Sequence, residues 1–289
     1  MKKLAVTALA LVMIIGSFTA CGAAGKNDKG SAGDAADKSA KYTILDEHLN
    51  SEEYGVGFKK GNTSLRNIVN ADLHQLMADG KVLEIAKKYD LDESMISISS
   101  DLEEKSEADI KAEEGRTKFI VGFDAEYPPF GYMDKDGSYV GFDLDLAAEI
   151  CSMEGWELVK TPIDWDSKDM ELNSGSIDCI WNGFTINGRE DDYTWSDAYC
   201  DNSQVIVVRN GSDIKKLSDL AGRTVGVQTA SAAYDVLTDS EQQKALGDSF
   251  GSLQQFGDYN VAFTELSAGS IDALAIDIGV ANYQIKSRS

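Results

Sequence analysis

The chain has 289 residues, with 27 Lys and Arg against 49 Asp and Glu, for a formal net charge of −22. That balance argues against a basic face for nucleic acid or anionic lipid and reads instead as solubility. Hydrophobic residues make up 43% and aromatics 9%; about 270 residues beyond a leader suffice for two modest domains with packed cores.

Four cysteines, Cys21, Cys151, Cys179 and Cys200, fit neither a disulfide framework nor zinc spacing. Cys179 sits in an apolar run and reads as a buried thiol. His48 and His74 are the only histidines, which leaves little for a Ser-His-Asp or histidine metal site. No metal and no cofactor is expected.

Residues 1–20 read as an export signal: a basic start, the apolar run Leu4 to Ala20, and a small-residue exit. Phe18-Thr19-Ala20-Cys21-Gly22 resembles a bacterial lipobox, which would make Cys21 the lipidated N-terminus and hold the protein on the outer face of a membrane. Residues 21–40 are nearly all Gly, Ala, Ser, Asp, Lys and Asn. They predict a flexible tether with an r.m.s. reach of about 25 Å.

Residues 41–62 suggest two short strands and a turn, with Val56 and Phe58 alternating with Gly55 and Gly57. Such a pair buries little alone and must join a larger sheet. Leu65, Ile68, Val69, Leu73 and Leu76 recur at helical spacing; Gly80 interrupts, and Val82, Ile85 and Ala86 continue a second helix. Residues 99–116, charged and poor in large apolar groups, predict a solvated helix or linker. Beyond them Phe119 to Val121 reads as a strand, Asp143 as the N-cap of a helix over 144–153, Ser218 to Ala221 as a helical turn, and Thr224 to Val227 as a strand. Strands alternating with helices argue for parallel sheets covered on both faces.

An internal echo sharpens this. ELNSGSID at 171–178 and ELSAGSID at 265–272 each read as a helix end, a glycine stop and a strand entry. Two similar α/β lobes follow. In open α/β sheets ligands sit beyond the C-terminal ends of the strands, which singles out Asp124, Tyr127, Asn182, Gly183, Gln228, Ser231 and Asp277. Asp277 reads as a solvated strand end or as the partner of a buried cation. Ser231 can cap a helix over 232–237 and turn backbone N–H groups toward an anion.

At these residues the chain resembles the bacterial ABC-transporter solute-binding proteins of the polar amino-acid class. The resemblance is carried by VGFDAEYPPFGYMDKDGSYVGFDLDLAAEI (121–150), GSIDCIWNGFTI (175–186) with Arg189 and YTWSD (193–197), and LAGRTVGVQ (220–228). It implies an α/β, two-lobed, periplasmic-binding-protein type II-like fold with a hinged ligand cleft. In that family a segment like residues 42–69 closes the chain; here it stands first, so the resemblance implies a circular permutation. Residues 41–49 and 204–289 would form lobe 2, residues 50–98 and 117–203 lobe 1, and residues 99–116 the linker joining the family's usual termini. A truncated tandem duplication is the competing account.

By the same resemblance, Arg189 would fork onto the carboxylate of a free amino acid, helped by Ser231 and the Ala232 N–H. One residue fewer than the commoner pattern separates Thr185 from Arg189. Asp277, the Gly183 carbonyl and the Thr185 hydroxyl would take the ammonium. Tyr127 and Trp165 would sandwich the ligand side chain, with Asp124, Asn182 and Gln228 at its far end; a polar or cationic side chain is favoured. The expected partners are ABC permease subunits and a membrane reached through the lipid anchor, with no nucleic acid and a monomeric state. Two other readings are a receptor domain that senses amino acids and a dehydratase-type enzyme, for which Glu126 and Glu53 are the loose general-acid candidates.

Overall fold

The computed structural model describes residues 41–97, 104–238 and 243–289. The signal, the tether, Cys21 and residues 99–103 of the linker lie outside them. In chain order β1 (Tyr42–Ile44) and β2 (Glu52–Lys59) precede α1 (Thr63–Ala78), α2 (Lys81–Lys88) and α3 (Glu107–Ala112). Then come β3 (Lys118–Phe123), β4 (Glu126–Tyr127), β5 (Gly131–Met133), β6 (Tyr139–Val140), α4 (Phe142–Glu154), β7 (Glu157–Pro162), α5 (Lys168–Ser174) and β8 (Cys179–Thr185). The chain continues through β9 (Tyr193–Trp195), β10 (Cys200–Asn202), β11 (Gln204–Arg209), β12 (Thr224–Gln228), α6 (Ala232–Thr238), α7 (Lys244–Gly247), β13 (Ser252–Phe256), α8 (Tyr259–Ala268), β14 (Ala273–Asp277) and α9 (Ile278–Arg288).

Two mixed sheets organise these elements. The first runs β10-β2-β8-β3-β7, with β9 added to β2; β3 lies parallel to β7 and β8, and β2 lies antiparallel to β8. β8 is buried at every position, as suits a central strand covered on both faces. Gly57 lets β2 approach it closely, since a Cβ there would stand 2.8 Å from the Phe184 ring. The second sheet runs β1-β11-β14-β12-β13, with β12 parallel to β13 and β14, and β11 antiparallel to β14 and β1. Tyr42 faces Arg209 across its edge. Thus β1 and β2, close in sequence, belong to different sheets rather than to one hairpin.

The echoed motifs fold alike. α5 stops at Gly175 (φ 82°) before β8, and α8 stops at Gly269 (φ 84°) before β14. Both glycines take the left-handed conformation that ends a helix at least steric cost. The two lobes are joined where the segment entering β2 runs beside the segment leaving β10: Leu49 N donates to Gln204 O at 2.8 Å, and Gln204 N donates to Asn50 Oδ1 at 2.9 Å.

Two expectations need correction. Gly141, not Asp143, precedes α4 at the N-cap position. Asp143 is instead fully buried and accepts bonds from Gly183 N (2.5 Å) and Tyr199 OH (2.8 Å). The sheets are mixed rather than parallel, since β2 and β11 run antiparallel to β8 and β14. The described part of the charged linker carries α3, none of whose residues is buried, as expected of a solvated helix, and polar bonds tie the segment to α1 and α4. Ser64 Oγ of α1 donates to Glu113 at 2.7 Å, and Asn67 Nδ2 donates to Asp109 at 3.1 Å. Lys105 binds Asp72 of α1 and Glu154 of α4, while Arg116 pairs with Glu113 at 2.8 Å and Asp178 at 3.1 Å.

Candidate functional site

A cavity of about 630 Å³ opens between the lobes beyond the ends of β3, β7, β12 and β13, the place an α/β sheet reserves for ligands. The first lobe lines it with residues that include Asp124, Glu126, Asp164, Trp165, Asp166 and Glu171; the second adds Thr229, Gly257 and Asp258. Six of the lining residues are Asp or Glu, and none is Lys or Arg. Asp124 closes its floor. Its backbone N–H donates to Asn182 Oδ1, its own carboxylate accepts from Glu126 N at 2.8 Å, and Gln228 Nε2 reaches across from the second lobe at 2.6 Å. Burial raises its carboxyl to about 6, against the bonds from Glu126 N and Gln228 and with nearby Asp258 adding to the rise. Asn182 Nδ2 is buried without a partner. Trp165 stands edge-on to Phe184, with centroids 5.4 Å apart.

A cationic end lies beside it. Arg189 donates to Asp235 Oδ2 of α6 at 2.6 Å and lies over the Phe184 ring at 5.5 Å. Lys168, absent from the sequence reading, is buried with its Nζ over Trp165 and donates to Ala230 O of the other lobe at 3.2 Å. Burial first, then Arg189, lowers its ammonium to about 8. Ser231 Oγ accepts from Tyr234 N at 3.2 Å and so caps α6, whose first residue is Ala232.

A third cluster sits at the junction of the lobes. Asp277 is buried, and its Oδ1 accepts from Tyr54 OH (2.5 Å), Asn202 Nδ2 (2.8 Å) and Gln204 Nε2 (2.7 Å). The same two amides donate to Glu52 Oε1 at 2.7 and 2.8 Å, and Thr185 Oγ1 donates to it at 2.9 Å. Burial, then Asp277, raises the Glu52 carboxyl. Tyr127 packs here, against Phe130 and Tyr259 at 5.9 Å. At Gly183, with φ 56°, a Cβ would stand a tight 3.0–3.2 Å from the Tyr54, Tyr127 and Phe130 rings.

The structure therefore brings Asp124 and Trp165 to one cavity, with Asn182 and Gln228 bonded to Asp124. It brings Thr185, Gly183, Tyr127 and Asp277 to the junction, and Arg189, Ser231 and Ala232 to the face between. Tyr127 and Trp165 are in separate clusters, and Arg189 bonds Asp235 rather than any group at the junction. Glu52, Tyr54, Asn202, Gln204, Lys168 and Asp235 went unread. None of the six stands out in its own stretch of sequence. Among the described residues no cluster of His, Cys, Asp and Glu is arranged to hold a metal ion.

Residues 119–264 match the family described as bacterial extracellular solute-binding proteins, family 3. The chain is 32% identical over 178 residues to the arginine-binding extracellular protein ArtP of Bacillus subtilis, covering 61% of this chain and 67% of that protein. It is 28% identical over 165 residues to the L-cystine-binding protein TcyJ of Escherichia coli, covering 56% and 59%. Among solved structures, it superposes with a TM-score of 0.56 and 36% identity on a substrate-binding protein of an ABC uptake transporter from Streptococcus pneumoniae with bound histidine, covering 59% of this chain and 70% of that one. An ancestral arginine-binding protein bound to arginine gives a TM-score of 0.55 at 37% identity, covering 60% and 75%. The matched segments thus span 59–67% of the length of these two curated relatives. The fold, the cleft and the family match agree: this chain belongs to family 3 of the bacterial extracellular solute-binding proteins.

Proposed function

We propose that this protein captures a free amino acid with a cationic side chain between its lobes, outside the cytoplasm, and delivers it to an ABC importer. The observation that carries the choice of ligand is the cavity wall, with six acidic residues and no lysine or arginine. A guanidinium or ammonium entering beside Asp124 would meet a field of its own counter-charge, with Trp165 for its apolar stem. Arg189, with Lys168 and the turn at Ser231 and Ala232, would receive the carboxylate, Arg189 exchanging Asp235 for the ligand. Asp277 and Thr185 would receive the ammonium. Arginine-binding proteins among the relatives support the same choice. The candidate general acid Glu126 is tied to Asn260 across the cleft, which favours binding over turnover.

Lipidation at Cys21 would hold the receptor beside its permease. The order of the strands is further read as a circular permutation: β1 extends the second sheet at β11 and β2 fills the first beside β8, with residues 99–116 bridging the usual termini. The arrangement is supported by the pairing of β1 with β11 and of β2 with β8.

The test is a thermal-shift panel of the twenty amino acids on purified protein. A ligand that binds only the folded state raises its stability by about 2.7 kcal/mol at a hundredfold excess over Kd. Arginine or lysine should raise the melt, and Arg189→Ala should lose the shift. A cooperative melt that no amino acid moves would remove the proposed substrate class.

A further inference from the structure

Glu52 is a buried carboxylate that the capture of an amino acid by Arg189 and Asp277 does not call for. It enters the junction from the first residue of β2 and meets Asp277, from the last residue of β14. The Asn202 and Gln204 amide groups each donate to Glu52 Oε1 and to Asp277 Oδ1, so the two carboxylates are held face to face. Around them stand Asn50, which donates to Glu52 Oε2 at 2.9 Å, Thr185, Tyr54, Tyr127 and Tyr259. No lysine, arginine or histidine among the described residues bonds either acid. Two carboxylates at one dry site do not both ionise without a cation. The site also has spare acceptors. The Gln204 carbonyl oxygen is buried without a donor, and Asp277 Oδ2 accepts from the Tyr259 hydroxyl at a long 3.5 Å.

We propose that Glu52 and Asp277 form a proton-holding pair at which the ligand's α-ammonium exchanges for one proton. This rests on the reading that Asp277 receives that ammonium. The proton leaves the Glu52–Asp277 pair for bulk water as the ammonium enters, and it returns when the ligand departs. Neither step breaks a heavy-atom bond. The raised carboxyl of Glu52 agrees in direction, burial and Asp277 both favouring the protonated form. Affinity should therefore fall as pH drops through the titration of the pair, by about tenfold per pH unit where a whole proton is released. Because Glu52 and Gln204 lie on the two segments that cross between lobes, the exchange acts at the hinge itself.

The experiment is titration calorimetry of the full protein with L-arginine, from about pH 5 to about pH 8, in buffers of differing ionisation enthalpy, which counts protons released per ligand. Asp124 also titrates in the cleft, near 6, and its share is removed with Asp124→Asn. In that background a proton should still be released, and adding Glu52→Gln should abolish it and flatten the remaining pH dependence. Should Glu52→Gln fail to fold, infrared difference spectra of the Asp124→Asn protein serve instead: ligand addition should erase a protonated-carboxyl band. If L-arginine binds the Asp124→Asn protein without proton release, or if Glu52→Gln leaves the release unchanged, the exchange is overturned while the receptor reading stands. If no amino acid of the panel binds, both fall.

Discussion

Lys105→Met tests whether the connection ahead of β3 contributes to the fold. In the wild type Lys105 contacts both Asp72 and Glu154, and the Asp72 side chain is only 2% exposed. Burial raises the Asp72 carboxyl from 3.8 to about 6 even with Lys105 opposing the rise. The folded chain thus holds this proton more tightly than the unfolded one. Its contribution is full below the unfolded value and is lost as pH climbs through about 6, a swing of about 3 kcal/mol. Methionine keeps the stem and removes the charge, leaving Asp72 facing Glu154 with no counter-ion. Removing one member of a buried pair costs about 3–5 kcal/mol. Lys105 keeps partial contact with water, and Asp72 can take up a proton, so the lower end applies: about 3 kcal/mol at about pH 8 and about 1 kcal/mol at about pH 5. Urea unfolding at the two pH values reads this as a fall in the midpoint at unchanged slope. A loss that is equal at both pH values, or below about 0.5 kcal/mol at about pH 8, would refute the reasoning.

Gly141→Ala should destabilise by more than about 3 kcal/mol, because φ is 146° and a Cβ would lie 2.1 Å from Phe130 O; the thermal midpoint measures it. Tyr54→Phe removes the 2.5 Å bond to Asp277 and should cost about 1.5–3 kcal/mol in urea unfolding, as expected for a hydrogen bond to a charged group. Asp124→Asn should weaken L-arginine binding by about 10- to 100-fold at about pH 8. It should also remove that part of the pH dependence centred near 6; calorimetry with L-arginine checks both.

The strands and the fold class were legible because buried β-strands carry unbroken apolar runs. Phe119 to Val121, the run after Gly175 and the run after Gly269 each became a central strand flanked by neighbours on both sides. The glycine stops were legible for the same local reason. The charged partners were not. Lys105, Lys168 and Glu52 look like surface residues in any short window, and each is held by groups far along the chain: Asp72 and Glu154, Ala230, and Asn202 with Gln204. Asp143 misled for a related reason. An aspartate at a helix start usually caps it, but here the bonds of Gly183 N and Tyr199 OH draw its carboxylate into the core.

The pairing of β1 and β2 bears on how the protein is made. Tyr42 pairs with Arg209 and Tyr54 with Thr185, so strands synthesised early wait for partners synthesised much later. Such non-local pairings form slowly. During that wait the Val-Gly-Phe stretch of β2 presents an unpaired apolar edge, the kind of segment that aggregates or needs a chaperone. For the exported receptor proposed above the delay would be useful: neither sheet can close before the strands that complete it have been made.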